Sequence, residues 1–499
     1  MTTTPTPSDW DQLREHIAAL ETLEGISSTL AWDEQTMMPP KAAPLRGRQS
    51  ALLAGLAHAR VTDARIPTWL SAIDGSDPVH AACRRNLRRL HERETCVPAD
   101  LVDRLARAKS EGFAAWLEAK QASRFATFEP TLTRLLELSL RRAEAIDANR
   151  HPYEVLLEEY DPGTRVEDLR AMFARLREGL VELMDAIADK PALPAFDVRF
   201  DADKQGALHR EIAAALGYDF AAGRLDHAEH PFTSGQGPGD VRITTHIDEA
   251  DFLNGLGSTI HEAGHALYEQ GLPHDHVGTT VNEAASFGLH ESQSRLWENF
   301  IGRSRPFCDW LAARIATHFP DTPVTGEALY QGSNRVERGL IRVAADEVTY
   351  NLHVIVRFEI ELALFERKLA VKDLPEAWNA KYEELLGLTP PSDALGVLQD
   401  VHWSGAAFGY FPSYTLGNLY AASLGATLEN ALPTLWEQVG DGNFAEVLTF
   451  LRRTIHSCGH LLEAPAIIRD AVGERDHVED LLAHLWGRHG ALYGVTRPG

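Results

Sequence analysis

FLNGLGSTIHEAGHALY, residues Phe252–Tyr268, is the stretch on which the reading of this chain turns. Phe252, Leu253, Leu256, Ile260, Leu267 and Tyr268 recur at helical spacing, Asp248 stands upstream as a candidate cap, and Gly271 and Pro273 supply a stop. Inside that predicted helix His261 and His265 are four residues apart, one turn above each other, so both imidazoles can reach a single tetrahedral ion. Glu262 is rotated around the same helix to meet an attacking water. Two metal ligands and a general base thus come from five residues, and the chemistry they suggest is metal-assisted hydrolysis.

A catalytic zinc takes three protein ligands as a rule, so a further donor is expected downstream. A third histidine six residues after His265 is absent, because Gly271 stands there, but Glu283 and Glu291 are both available. The Asn282-Glu283 context with Ser286 is similar to that of thermolysin-like enzymes. The His290-Glu291-Ser292 context resembles that of dipeptidyl carboxypeptidases and favours Glu291, which leaves Glu283 to orient a histidine or to face solvent. Zinc is the default ion for two histidines and a carboxylate, with cobalt or manganese as possible substitutes in the same ligands.

Outward from the motif the pattern is overwhelmingly helical, with segments expected at Asp9–Leu23, Asp100–Lys120, Thr131–Asn149, Arg165–Ala188, Leu340–Lys368 and Asn443–Ser457. Period-two alternation is confined to Asp240–Ile247, just before the motif. The fold expected is mostly α, with a small sheet beside the active site. No linker or internal repeat divides the 499 residues, so one large domain is expected, its amino-terminal helical part about 1–200 and its catalytic part about 201–499.

Composition narrows the classes further. A formal charge of −24 argues against a general nucleic-acid surface. No apolar run is long enough to span a bilayer, and the Met1–Pro5 start lacks the basic and apolar character of a signal segment. Cys83, Cys96, Cys308 and Cys458 have no metal or redox spacing, which suits a reducing cytoplasm.

Several further blocks, in order, make the chain resemble the carboxypeptidase Taq family of metallocarboxypeptidases. They are Trp32–Pro40, His230-Pro231-Phe232, the set Asp240, Arg242 and Thr244, the set Ile341, Arg342, Ala345 and Asp346, and the set Gly396, Gln399, Asp400, His402 and Trp403. The resemblance implies a saddle-like, mostly helical subunit with a deep central groove, usually a cytoplasmic homodimer. It also implies release of single residues from peptide C-termini with broad side-chain tolerance. His246 is a departure, because many relatives carry a basic residue there.

An exopeptidase must also recognise the free carboxylate of its peptide. Arginine suits this, since its planar fork matches two oxygens and keeps its charge in a partly dry groove. Arg342 is the first choice: with Asp346, Tyr350, His353 and Arg357 it forms a polar stripe on an otherwise apolar predicted helix, and Arg242 is the second. The competing reading pairs Arg342 with Asp346 one turn along. The turn-like Gly409–Tyr414 segment offers two phenols, Tyr410 and Tyr414; family analogy favours Tyr414 for oxyanion assistance and leaves Tyr410 to substrate binding. His230 is a candidate for the substrate backbone, while His402 and Asp400 are expected to brace the site. Gly235, Gly237 and Gly239 read as a flexible loop beside the groove. The main alternative activity is a metallo-oligopeptidase that cuts internal bonds.

Overall fold

The computed structural model describes residues 8–498, so the Met1–Pro5 stretch lies outside them. Helices dominate, and one continuous core runs from Trp116 in the amino-terminal part to Trp486 near the carboxyl end. The elements that build the site are α1 (Asp9–Thr36), α2 (Pro78–Cys96), β1 (Leu225–His227), β2 (Thr233–Gly237), β3 (Asp240–Thr245), α3 (Phe252–Glu269), α4 (Phe287–Arg295), α5 (Tyr350–Phe365) and α6 (Phe411–Ala431). The sheet has the order β1-β3-β2, with β1 parallel and β2 antiparallel to β3. No helix among the described residues is long and apolar enough to cross a membrane.

Helices with one apolar face follow the expected boundaries closely, as at Ala99–Gln121, Val166–Ile187 and Ala445–Thr454. α1 is longer than expected. Its second half packs on β2 and lines the groove, leaving Ile26 exposed, so the apolar period that marks Asp9–Leu23 fades although the helix continues. The Gly409–Tyr414 segment is a correction: Tyr410 is the cap position of α6 and Tyr414 lies in its first turn. α6 is buried on nearly all sides and therefore shows no amphipathic period.

The Leu340–Lys368 helix is also corrected, because α5 begins only at Tyr350. Asp346 ends the preceding loop by accepting hydrogen bonds from the backbone N–H groups of Val348 and Thr349 and from the Thr349 hydroxyl. The polar stripe therefore does not exist as one helix face. Asp248 does not cap α3 either: it accepts from the Ala250 N–H, and α3 starts after Asp251. Gly235, Gly237 and Gly239 belong to a bulged β2–β3 hairpin instead of a loop, with positive φ at Gly237 and Gly239 making the turn.

Candidate active site

His261 and His265 sit one turn apart on α3, and Glu291 projects from α4, which crosses against it. Close approach is required. A Cβ on Gly264 would come within 2.7 Å of the Ser294 Cα, and one on Gly417 of α6 within 2.4 Å of the Glu291 Cγ. Glycine at these two positions is what lets three helices converge on one point. His261 Nε2 and His265 Nε2 lie 3.6 and 3.3 Å from Glu291 Oε2, and the three donor atoms fall within 4.8 Å of one another.

The other ring nitrogens define the tautomers. His261 Nδ1 stands 2.7 Å from Glu298 Oε2, and His265 Nδ1 stands 3.1 Å from the His290 carbonyl oxygen. Both partners are acceptors, so each Nδ1 carries the proton and each Nε2 turns its lone pair toward Glu291. Burial pushes His265 down to about 3 and keeps it neutral, whereas His261, although buried, is pulled upward by Glu291 and Glu298. Glu291 would be raised by its burial, yet Arg295 at 2.7 Å and the two imidazoles hold it well below the usual carboxylate range. Two neutral imidazole nitrogens and one carboxylate oxygen are the donor chemistry a divalent transition metal takes, so the residues fit such an ion.

Glu262 is 7% exposed, and the Thr233 hydroxyl donates to its Oε2 at 2.7 Å. Burial pushes this carboxyl up, opposed by His261 and Thr233, which suits a group that must accept a proton. Glu283 lies outside the His–His–Glu group. It faces the groove beside Glu21, Glu24 and Glu269, where desolvation and those three carboxylates push it up to about 8.

The wall formed by α5, α6 and the Gln399–Trp403 segment holds the remaining candidates. Arg342 is 4% exposed, donates from Nε and Nη2 to Asp400 Oδ1 at 3.0 and 2.9 Å, and donates from Nη1 to the Tyr350 hydroxyl at 3.0 Å. It does not pair with Asp346. Arg357 takes the other Asp400 oxygen at 2.7 Å, so Asp400 clamps two buried guanidinium groups and not, as expected, a histidine. The Arg342 guanidinium lies over the Tyr414 ring, and the Tyr414 hydroxyl meets His402 Nε2 at 3.3 Å. Tyr410 stacks edge-on against Tyr414 with centroids 5.2 Å apart.

Arg242 is brought elsewhere, paired with Asp240 at 2.7 Å and lying over Trp32 of α1, so two of the sequence blocks meet in that contact. His230 and His246 are exposed, on the β1–β2 and β3–α3 connections. Sequence reasoning missed Thr233, Arg295 and Glu298. The spacing 291, 295 and 298 was the available signal for the last two. The π-helical turn Leu296–Ile301 that follows α4 carries Glu298, which Arg295 and Arg303 hold at 3.2 and 3.3 Å.

Residues 12–489 match the Carboxypeptidase Taq (M32) metallopeptidase family. The chain belongs to this family. It is 42% identical to thermostable carboxypeptidase 1 of Thermus thermophilus over 491 residues, covering 95% of this chain and 96% of that one. Among solved structures, the M32 carboxypeptidase from Deinococcus radiodurans superposes with a TM-score of 0.95 at 40% identity, covering 98% of this chain and all of that one. A Pyrococcus furiosus carboxypeptidase gives a TM-score of 0.93 at 30% identity, over 98% of this chain and 100% of that one. The metallocarboxypeptidase therefore acts on peptides, membership of a metallopeptidase family implies a divalent metal, and a His–His–Glu group able to hold one is present.

Proposed function

We propose that this carboxypeptidase releases single C-terminal residues, with broad tolerance for their side chains, using zinc held by His261, His265 and Glu291. The observation that carries the reading is the pair of Nδ1-protonated imidazoles turned onto one buried carboxylate, with Glu262 beside them. When bound, the ion supplies Lewis-acid chemistry at the scissile bond. Glu262 takes a proton from the attacking water at Oε1, the oxygen Thr233 leaves free, and returns it to the leaving nitrogen. Tyr414 donates its hydroxyl proton toward the developing oxyanion, and burial keeps that phenol protonated.

The free carboxylate is drawn to the Arg342 end of the wall. Two buried guanidinium groups share one carboxylate there, which leaves a net positive charge beside Tyr410 and Tyr414. Exposed His230 serves the substrate backbone, and Arg242, held by Asp240 and Trp32, is a second substrate-binding group. The four cysteines, all free, suit a reducing cytoplasm, and the resemblance of the whole chain to its relatives suits a homodimer. Sedimentation would give the oligomeric state.

The test compares a peptide and its C-terminal amide by mass spectrometry, with wild type, metal-stripped protein and Glu262→Gln. Single-residue loss is expected from the free acid alone and only with metal. Glu262→Gln should lower kcat by about 10²–10⁴-fold while the protein still retains zinc. Internal fragments from the amide would instead mark an oligopeptidase.

A further inference from the structure

α4 presents three residues at successive turns: Phe287, Glu291 and Arg295. Each step is about 6 Å along the helix axis. Arg295 lies over the Tyr350 ring, whose hydroxyl binds Arg342, so this end of α4 adjoins the positive wall assigned to the substrate carboxylate. Glu291 belongs to the metal group in the middle. Phe287 lies one turn back from it, at the start of α4. It is 48% exposed although pinned on two sides, its ring edge-on to Tyr160 at 5.4 Å and to Tyr410 at 5.5 Å. Tyr160 and Tyr410 are themselves edge-on at 5.1 Å, and the Phe287 N–H donates to the Tyr160 carbonyl. The three rings, each nearly perpendicular to the other two, form a fixed aromatic cluster of which Phe287 is the exposed member.

We propose that Phe287, backed by Tyr160 and Tyr410, is the subsite for the side chain of the penultimate substrate residue, and that it selects aliphatic and aromatic side chains there. The assignment rests on the carboxypeptidase reading above. The attacked carbonyl belongs to the penultimate residue, so its side chain leaves the peptide within about one residue length, roughly 3.5 Å, of the metal group. With the C-terminal carboxylate toward Arg295 and Arg342, that side chain points along α4 toward Phe287. A ring held edge-on by two neighbours loses little freedom on binding, which favours apolar contact over hydrogen-bonded readout.

The experiment uses N-blocked dipeptides in two series, one varying the penultimate residue (Gly, Leu, Phe, Lys) before a constant C-terminal residue, the other varying the C-terminal residue. For wild type, kcat/KM should be about tenfold higher for penultimate Leu or Phe than for Gly, the size expected for burying a few methylene groups. Phe287→Ala should compress that ratio to about twofold or less, chiefly by lowering the Leu and Phe values, and leave the order of preference in the C-terminal series unmoved. Phe287→Asp, at a first-turn helix position that accepts an acid, should make Lys the preferred penultimate residue. An apolar preference that survives Phe287→Ala, or one that changes in the C-terminal series instead, overturns the assignment. Failure of wild type to cleave any blocked dipeptide, or equal cleavage of their amides, overturns the carboxypeptidase reading itself and is visible before any variant is made. Thermal melts of each variant with bound zinc report folding separately.

Discussion

Glu298 is not itself a member of the His–His–Glu group and acts through His261, whose Nδ1–H it accepts. It is itself fixed by Arg295 and Arg303, so the imidazole is aimed by a carboxylate that cannot swing away. Partners of this kind are worth about 10–100-fold in metal affinity. Glu298→Ala is therefore expected to weaken zinc binding by that amount in a chelator competition, read by metal content without any substrate. Glu298→Gln should lose less, because its amide oxygen can still accept from Nδ1. Equal affinity in wild type and Glu298→Ala would show that α3 alone orients His261.

At the scale of elements, the site depends on how near α3, α4 and α6 can approach. Gly417→Ala places a methyl group inside the Glu291 side chain, and since that contact includes the Glu291 Cβ, the helices themselves must move. Overpacking of this kind costs about 1–3 kcal/mol. Here it should also lower zinc affinity, because the displaced group belongs to the His–His–Glu set proposed to hold the ion. Gly487→Ala, on the exposed face of His477–Tyr493 with open space around its Cβ, is the control and should stabilise slightly. Melts and chelator competition on the two variants separate close approach from helix propensity. The same geometry explains what was legible in the sequence. His261, Glu262, His265 and Glu291 could be read because each position follows from helical spacing or a local context. Thr233 could not, since it reaches Glu262 from a strand 29 residues upstream. The start of α5 was misplaced because Leu340, Ile341, Val343 and Val348 extend its apolar run upstream, although only a 3-10 turn at Arg342–Ala344 forms there and Val343 is exposed, and charge pairing of Arg342 with distant Asp400 leaves no trace in local spacing. α6 was unreadable as a helix because it is covered on nearly every side.

Across the whole molecule, α1 and α2, whose buried apolar residues Leu13, Ile17 and Leu87 share a cluster of their own, are fastened to the carboxyl-terminal segment by charge. Arg85 and Arg89 of α2 grip Glu463 at 3.0 and 2.5 Å, and Arg85 also donates to the carbonyls of His460 and Leu461. With the main core running from Trp116 to Trp486 and this junction joining α2 to it, we propose that the chain unfolds as a single unit, giving one calorimetric transition. Glu463 then offers a linkage test of that fastening. Its partial burial would raise the carboxyl, but nearby His460, the hydrogen bond from Arg89 and the charges of Arg89 and Arg85 bring it down to about 2. A folded pKa below the unfolded value means the stabilisation is present above about pH 4.5 and is lost as pH falls toward 2. Solvent reaches the pair, so the contribution is about 1–2 kcal/mol and not the full amount the shift would give in a dry site. Glu463→Gln should accordingly be less stable than wild type by that margin at neutral pH in urea unfolding, and the gap should close progressively below pH 4.5. Persistence of the whole gap at the acid end would mean that Glu463 stabilises the junction by packing, with its charge contributing nothing.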